Sequence, residues 1–169
     1  MEGVCAWYAV YTVSRGEKKI KERLDSQGIE NYLPLQTEYR MWSSRRKKVS
    51  VPLITGYIFV YISEADFISV LRTPGVVSFL KEKGRAIVIP AAQIERLRFA
   101  ENNWEEPIEI SYEEIPEGAL VEVVRGKLSG LQGEMVKIQD KYRMVLRLDR
   151  LGCALLSVPI SCVVKVKNS

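Results

Sequence analysis

The chain has 169 residues, of which 47% are hydrophobic and 27% are charged. This composition is ordinary for a folded protein with one domain or two small ones, and it excludes disordered, collagen-like and coiled-coil chains. The sequence lacks the run of ~20 apolar residues that a membrane helix needs, and its N-terminus lacks a signal-peptide pattern. We therefore expect a soluble intracellular protein.

Side chains that commonly carry catalysis or bind metals are scarce. Histidine is absent, which removes the commonest general base and the commonest metal ligand. The three cysteines, Cys5, Cys153 and Cys162, form no CxxC pair, so we expect unpaired packing thiols in a reducing compartment. We predict that the protein is not an enzyme and that it needs no metal or other cofactor.

The formal net charge of +4 is distributed unevenly along the chain. Residues 1–100 carry a net charge of +6, and residues 118–169 carry +5. Between them, residues 101–117 contain seven glutamates and no basic residue. Two basic bodies joined by an acidic segment are typical of a protein with a polyanionic partner such as nucleic acid.

The first hundred residues show the order strand, helix, strand, strand, helix, strand. Ser14 with Glu17, and Ser63 with Asp66, have capping spacing and predict two helix starts, while Gly28 predicts the end of the first helix. This βαββαβ order predicts a ferredoxin-like α+β domain. The elements expected in chain order are a strand at 7–13, a helix at 14–28, extended runs at 29–39 and 57–62, a helix after 63, strands at 76–80 and 86–89, and a helix with Pro90 at its first position.

Changes in composition predict the domain boundaries. We assign residues 1–101 to the α+β domain, 102–117 to an acidic linker and 118–169 to a second domain. The second domain contains five short β-rich runs separated by glycine-containing turns, which predicts a small five-stranded β-barrel. These runs are 120–124, 134–138, 144–148, 155–158 and 163–166.

A basic loop lies between two extended runs and is expected to be a hairpin tip. It contains five cations, one tryptophan and no acidic residue, which suits contact with phosphates and stacking on a base. The alternative is a solvated loop that only keeps the hairpin soluble. The residues concerned are Arg40, Trp42, Arg45, Arg46, Lys47 and Lys48.

Alternation along the strands predicts a sheet face rich in aromatic rings. Tyr57, Phe59 and Tyr61 fall on one face of their strand, and Trp7 with Tyr11 fall on one face of the first strand. The predicted helices cover the aliphatic face, so the aromatic face needs another cover. That cover is either another part of the chain or a second protein, for which an exposed ring patch is a good docking surface.

A glycine-rich stretch opens the second domain. It lacks the Gly-Lys-Ser/Thr ending of a P-loop and precedes a strand instead of a helix, so we interpret it as a turn of the barrel. Its marker residues are Gly126, Leu128, Leu131 and Gly133.

Three ordered segments resemble the N-terminal (NGN) domain of the NusG family of transcription elongation factors. They are the runs from Trp7 to Tyr11, from Pro52 to Val60 and from Pro74 to Phe79. A second set resembles the KOW motif of the family's C-terminal barrel: Gly118, Val121, Val123, Gly126 and Gly133. The resemblance covers essentially the whole chain.

The resemblance implies a protein that binds the β′ clamp helices of RNA polymerase, bridges the DNA channel and suppresses pausing. Carried over position by position, it implies a docking patch made of Tyr11, Ile54, Tyr57, Phe59 and Phe79. The basic loop corresponds to a family hairpin near upstream and non-template DNA, and we add the first-helix cations Arg15, Lys18 and Lys19 to this DNA surface. In relatives the KOW barrel recruits termination factor Rho or ribosomal protein S10, so S10 or another KOW-binding factor is an expected partner.

Some positions are more similar to specialised paralogues, namely RfaH and UpxY-type antiterminators of capsular-polysaccharide operons. Thr55 stands where the family has proline, and Leu128 and Leu131 stand where phenylalanines are usual. We therefore expect an antitermination factor for specific long operons, located in the cytoplasm and at the nucleoid through RNA polymerase. Two alternatives stay open here: a general NusG that recruits Rho, and a ribosome- or RNA-associated KOW protein.

Overall fold

The computed structural model describes residues 3–167. These residues form two compact units, one containing 3–35 and 50–91 and the other containing 36–49 and 92–167. The helices are α1 (Glu17–Ser26), α2 (Phe67–Leu71) and α3 (Ala91–Asn103). The strands are β1 (Ala6–Thr12), β2 (Asn31–Tyr32), β3 (Leu35–Trp42), β4 (Arg45–Pro52), β5 (Tyr57–Ile62), β6 (Val76–Phe79), β7 (Lys81–Glu82), β8 (Arg85–Ala86), β9 (Val88–Ile89), β10 (Glu109–Ser111), β11 (Ala119–Val123), β12 (Gln132–Ile138), β13 (Lys141–Leu148), β14 (Gly152–Leu156) and β15 (Val163–Lys165).

This division differs from the domain boundary expected at residue 101. The residues 36–49, which hold most of β3 and β4, and those from 92 onward group with the second unit. Composition marks changes along the chain, whereas a compact unit is defined by contacts in space. A change in composition therefore does not locate the edge of such a unit.

The sheet of the first unit has the order β2-β5-β1-β6, and β9 pairs with the first part of β1. β5 runs antiparallel to both β1 and β2, so β1 and β2 are parallel to each other with β5 between them. This is the split βαβ arrangement of ferredoxin-like domains. The mixed α/β character expected for this part of the chain is confirmed.

One face of this sheet packs against helices and forms the core of the first unit. The alternate residues Tyr8 and Val10 of β1 point to the same side as Ile58 and Val60 of β5, as the two-residue period predicts. Burial of each large apolar side chain stabilises the unit by roughly 1.5–3 kcal/mol. The buried members of this core are Tyr8, Val10, Ile20, Leu24, Leu33, Ile58, Val60, Ile62, Val70 and Phe79.

The start of α1 differs from the predicted capping box. Gly16 is the N-cap residue, and no side chain caps the helix there. The capping role expected for Ser14 is wrong, because Glu17 turns its carboxylate towards the backbone of a distant turn. Gly28 has φ +71° just beyond the C-cap Gln27, which confirms the predicted helix end.

The basic loop forms a β-hairpin, as predicted. β3 and β4 pair as a separate two-stranded sheet. The tip residues Ser43 and Ser44 both have positive φ, 43° and 66°. Positive φ at two successive residues is typical of a two-residue hairpin turn. The expected extended run at 29–39 is divided into β2 and β3, with Pro34 between them.

The second unit contains a six-stranded antiparallel sheet in the order β10-β14-β13-β12-β11-β15. Five of these strands match the five predicted β-rich runs. The sixth, β10, lies within the segment 102–117 that was expected to be a linker, and α3 extends into the same segment as far as Asn103. The prediction of five strands is therefore corrected to six within the part of the chain that the structure describes.

The extra strand β10 forms because buried apolar residues fix the chain on both sides of it. Ile108 and Ile115 are both buried, and Ile115 packs in a cluster with Val145, Cys153 and Leu155. Between these anchors, three residues of β10 pair with β14. The glutamates and prolines of the segment led sequence analysis to interpret it as a linker.

The ion pair between Arg147 and Glu134 holds the segment before β11 against the sheet. The Arg147 guanidinium donates to Glu134 Oε2 at 2.6 Å and to Glu134 Oε1 at 3.0 Å. It also donates to the carbonyl of Pro116, while the Gly118 N–H donates to Glu134 Oε1. Burial alone raises the pKa of Glu134, but the hydrogen bonds from Arg147 and Gly118 and the charge of Arg147 outweigh it, so the pKa is lowered.

We predict that Glu134→Gln lowers the free energy of unfolding at neutral pH by roughly 1–3 kcal/mol. Because the folded pKa is below the unfolded value, the stabilisation is present above that unfolded value and is lost as the pH falls through the folded pKa. Urea denaturation between about pH 7 and pH 3 measures both effects. The variant should show a weaker acid dependence than the natural protein.

The matched control is Glu113→Gln, which changes an exposed glutamate of the same unit. It should leave both the stability at neutral pH and the acid dependence nearly unchanged. Equal behaviour of the two variants would contradict a stabilising role for the Glu134–Arg147 pair.

Candidate functional site

The aromatic face of the first sheet is buried in its middle and exposed at its ends. β1 and β5 set Trp7 opposite Tyr61, Ala9 opposite Phe59 and Tyr11 opposite Tyr57, which confirms the predicted alternation. Phe59 has no exposed surface, and Trp7 is only 7% exposed. Tyr11 is 45% exposed and Tyr61 is 37% exposed. Of the two alternatives left open, cover by the chain itself therefore holds for Phe59 and Trp7, while Tyr11 and Tyr61 stay exposed.

Tyr11 and Tyr57 form a ring pair at the open end of the face. They lie directly opposite each other in the β1–β5 register, with ring centroids 5.5 Å apart and ring planes at 54°. Tyr57 is half-buried. Such a tilted pair holds both rings in place, and each phenol offers an apolar body with a polar tip. This Tyr11–Tyr57 pair can therefore present a rigid amphipathic surface to a partner.

A buried carboxylate holds the turn that precedes Tyr57. Glu17 is only 4% exposed, and its Oε1 accepts a hydrogen bond from the Gly56 N–H at 3.0 Å. The Gly56 carbonyl in turn accepts from the Thr12 N–H at 2.9 Å. Sequence analysis assigned Glu17 only to helix capping. No local pattern relates it to a glycine 39 positions later.

Three of the five residues expected in the docking patch are buried. Ile54 is 1% exposed, and Phe59 is fully buried. Phe79 lies on the opposite, helix-covered face. The centre of its ring lies 6.0 Å from the centre of the Tyr8 ring and 4.7 Å from that of the Phe67 ring. Phe79 therefore lies on a different face from Tyr11 and Tyr57. Sequence could not show this, because the face that β6 presents depends on its pairing with β1, which contains a register shift after Tyr11.

The hairpin of β3 and β4 brings cations and rings together on an exposed surface. The Arg46 guanidinium lies 4.2 Å from the centre of the Tyr39 ring, and Lys47 Nζ lies 5.1 Å from the centre of the Trp42 ring. Trp42 is 65% exposed, so its ring is accessible to a ligand. All six residues predicted in this loop are exposed: Arg40, Trp42, Arg45, Arg46, Lys47 and Lys48.

The first-helix cations are also exposed. Arg15 adopts a positive φ of 59° in the turn before α1. Lys18 donates a hydrogen bond to the backbone carbonyl of Ser50, and Lys19 is exposed on the same helix. The contact of Lys18 directs one cation towards the last residues of β4.

The glycine-rich stretch of the second unit is a turn, as predicted. Gly126 has φ +87°, and Gly130 donates its N–H to the Val123 carbonyl at 2.8 Å. Leu128 and Leu131 are both buried, so they act as core residues in this structure. At Gly133, an added Cβ would lie 3.0 Å from a Leu146 methyl group and 3.0 Å from the Val145 carbonyl oxygen, so a side chain there would require these neighbours to shift.

Three further features of the described residues concern metal ligands, thiols and helix hydropathy. Residues 3–167 contain no group of three or more Cys, Asp or Glu side chains that could hold a metal ion. Cys153 is buried, and burial raises the pKa of its thiol, so this thiol stays protonated. None of the helices described is both long enough and apolar enough to cross a bilayer.

Comparison with known proteins relates the chain to one family. A family model described as "Transcription termination factor nusG" matches residues 5–98. The transcription termination/antitermination proteins NusG of Staphylococcus carnosus and Staphylococcus aureus are each 26% identical over 165 residues, with 89% of this chain and 89% of each relative covered.

One solved structure, described as "Domain interaction in Thermotoga maritima NusG", is similar in fold. It has a TM-score of 0.53 and 16% identity, and the match covers 96% of this chain and 98% of that one. At this level of identity the similarity concerns the fold alone.

Proposed function

This chain belongs to the NusG family of transcription termination and antitermination factors, and on that premise we propose that it binds RNA polymerase and suppresses pausing and premature termination. The action is non-catalytic. The first unit docks on the β′ clamp helices, and the basic hairpin holds non-template or upstream DNA. The bound protein bridges the DNA channel and keeps the clamp closed.

The Tyr11–Tyr57 pair, with Tyr11 exposed and Tyr57 half-buried, is the observation that carries the docking proposal. Both rings belong to paired strands, so little side-chain freedom is lost when a partner covers them. Tyrosines in such positions are frequent hot spots of protein interfaces. Since Ile54, Phe59 and Phe79 are buried, we reduce the expected five-residue patch to this pair.

The exposed hairpin supports contact with single-stranded DNA. Its cations attract phosphates, and Trp42 offers a ring on which an unpaired base can stack. Lys47 already lies over one face of this ring, so a stacked base would take the other face or displace the ammonium group. Arg15, Lys18 and Lys19 extend the positive charge along α1. Phosphate contacts supply affinity here, while base contacts would have to supply any choice of operon.

We assign the second unit to the KOW class and the protein to the specialised paralogues that act on long operons, such as those for capsular polysaccharides. The burial of Leu128 and Leu131 supports this assignment, because the turn does not offer these side chains as an exposed docking surface for Rho. Ribosomal protein S10 or another KOW-binding factor is the proposed partner of this unit. The protein would work in the cytoplasm, at the nucleoid.

A general NusG is the second candidate function. It is favoured by the staphylococcal relatives, which carry that name and match 89% of both chains. Transcript profiling of a deletion strain separates the two functions. A specialised factor should lower only the promoter-distal transcripts of one or a few long operons, whereas a change in most genes would contradict specialisation.

We predict that the double variant Tyr11→Ala/Tyr57→Ala stays folded and loses at least about 30-fold in affinity for RNA polymerase, because the loss of one hot-spot ring alone costs roughly 2 kcal/mol or more. Binding is measured by biolayer interferometry with purified core polymerase, after nuclease treatment. Tyr112→Ala removes an exposed ring of the second unit and is the matched control. If the double variant folds and binds like this control, the docking assignment is wrong.

We predict that the two kinds of hairpin residue contribute differently to single-stranded DNA binding. Arg46→Ala/Lys47→Ala should reduce the slope of log affinity against log salt by about 1.4, since each phosphate contact contributes about 0.7. Trp42→Ala should weaken binding with a nearly unchanged slope, because stacking releases no counterions. Fluorescence anisotropy with a labelled oligonucleotide measures both.

The charge-matched control for the hairpin is Lys81→Ala/Lys83→Ala, which removes two exposed cations elsewhere. It should leave the salt slope nearly unchanged. A slope that falls equally in both double variants would mean that only net charge matters and that the hairpin is not the DNA surface.

A further inference from the structure

We infer that Glu17 is a positioning residue for the docking surface, because its carboxylate holds the turn that orients the Tyr11–Tyr57 pair. This inference rests on the proposed docking function. It assigns a role to a residue that touches neither polymerase nor DNA in the proposed arrangement. The role is exerted through the backbone of Gly56.

The position of Glu17 is unusual for a glutamate in the first turn of a helix. Such residues are normally exposed and act through the helix dipole. Glu17 is instead 4% exposed. Burial of a carboxylate is costly unless the group accepts hydrogen bonds, and here the Gly56 N–H supplies one at 3.0 Å. The buried Glu17 carboxylate therefore contacts the backbone of this one turn.

Two hydrogen bonds of Gly56 hold the turn. The Gly56 N–H donates to Glu17, and the Gly56 carbonyl accepts from the Thr12 N–H at 2.9 Å. Gly56 has φ +86°, a conformation that other residues rarely adopt. Loss of either hydrogen bond would leave this backbone free to relax towards other conformations open to glycine.

The same turn lies beside the Tyr11 ring. A Cβ placed on Gly56 would lie 3.5 Å from Cε2 of Tyr11, so the turn packs against this ring. The next residue is Tyr57, which begins β5 opposite Tyr11. A movement of Gly56 would therefore change the position of both rings of the pair.

Three variants distinguish the effect of side-chain length on binding from the effect of side-chain charge. Glu17→Gln keeps an acceptor oxygen at the same distance and loses the charge. Glu17→Asp keeps the charge but is shorter by about 1.5 Å, so it cannot reach the Gly56 N–H. Glu17→Ala loses both. We expect Glu17→Gln to bind core RNA polymerase within about threefold of the natural protein, and Glu17→Asp and Glu17→Ala to bind about tenfold more weakly.

The position of the Gly56 amide resonance, followed by NMR in the full chain, is the readout that a general loss of stability does not move. It should remain near its natural position in Glu17→Gln and shift in Glu17→Asp and Glu17→Ala. Glu22→Ala, an exposed glutamate on the same helix, is the matched control and should change neither property. If Glu17→Ala fails to fold, the contrast between Glu17→Asp and Glu17→Gln still decides.

The outcomes distinguish this inference from the function on which it rests. If Tyr11→Ala/Tyr57→Ala loses polymerase binding while Glu17→Asp binds normally, the positioning role is wrong and the docking function stands. If Glu17→Asp binds normally and Glu17→Gln does not, polymerase binding depends on the charge of the side chain and not on its length. That result also overturns the positioning role. If the tyrosine variant binds normally, the docking function itself fails.

Discussion

The antiparallel pairing of β1 with β5 is the constraint on which the rest of the first unit depends. One register places Tyr8 and Val10 in the helix-covered core and Tyr11 beside Tyr57 on the other face. A slip of one residue would exchange the two faces and send the rings into the core. The core residues that stabilise the fold therefore also determine the positions of the Tyr11 and Tyr57 rings.

Features that depend on neighbouring residues were predictable from sequence. The alternation from Tyr57 to Ile62 assigned each side chain to its correct face, because a strand repeats every two residues. The glycine at position 28 ended α1 for an equally local reason. The hairpin tip was expected because cations interrupt two extended runs, and Ser43 with Ser44 supply its turn.

Features that depend on distant residues were missed. The bond from Glu17 to Gly56 joins positions with no common pattern in the sequence. β10 exists because β14 offers it an edge, and the acidic composition around it indicated a linker. Phe79 entered the expected patch through the resemblance alone, which says nothing of the face that β6 presents, and its side chain lies in the helix-covered core. In each case the deciding partner lies elsewhere in the fold.

The central claim is that the Tyr11–Tyr57 pair touches the transcribing polymerase. Photocrosslinking tests it most directly, with benzoylphenylalanine placed at position 57 or, as a control, at position 112, in purified elongation complexes. The account predicts a crosslink to the β′ subunit from position 57 and none from position 112. Crosslinks from position 57 that reach only this chain itself, or polymerase crosslinks from position 112 alone, would contradict it.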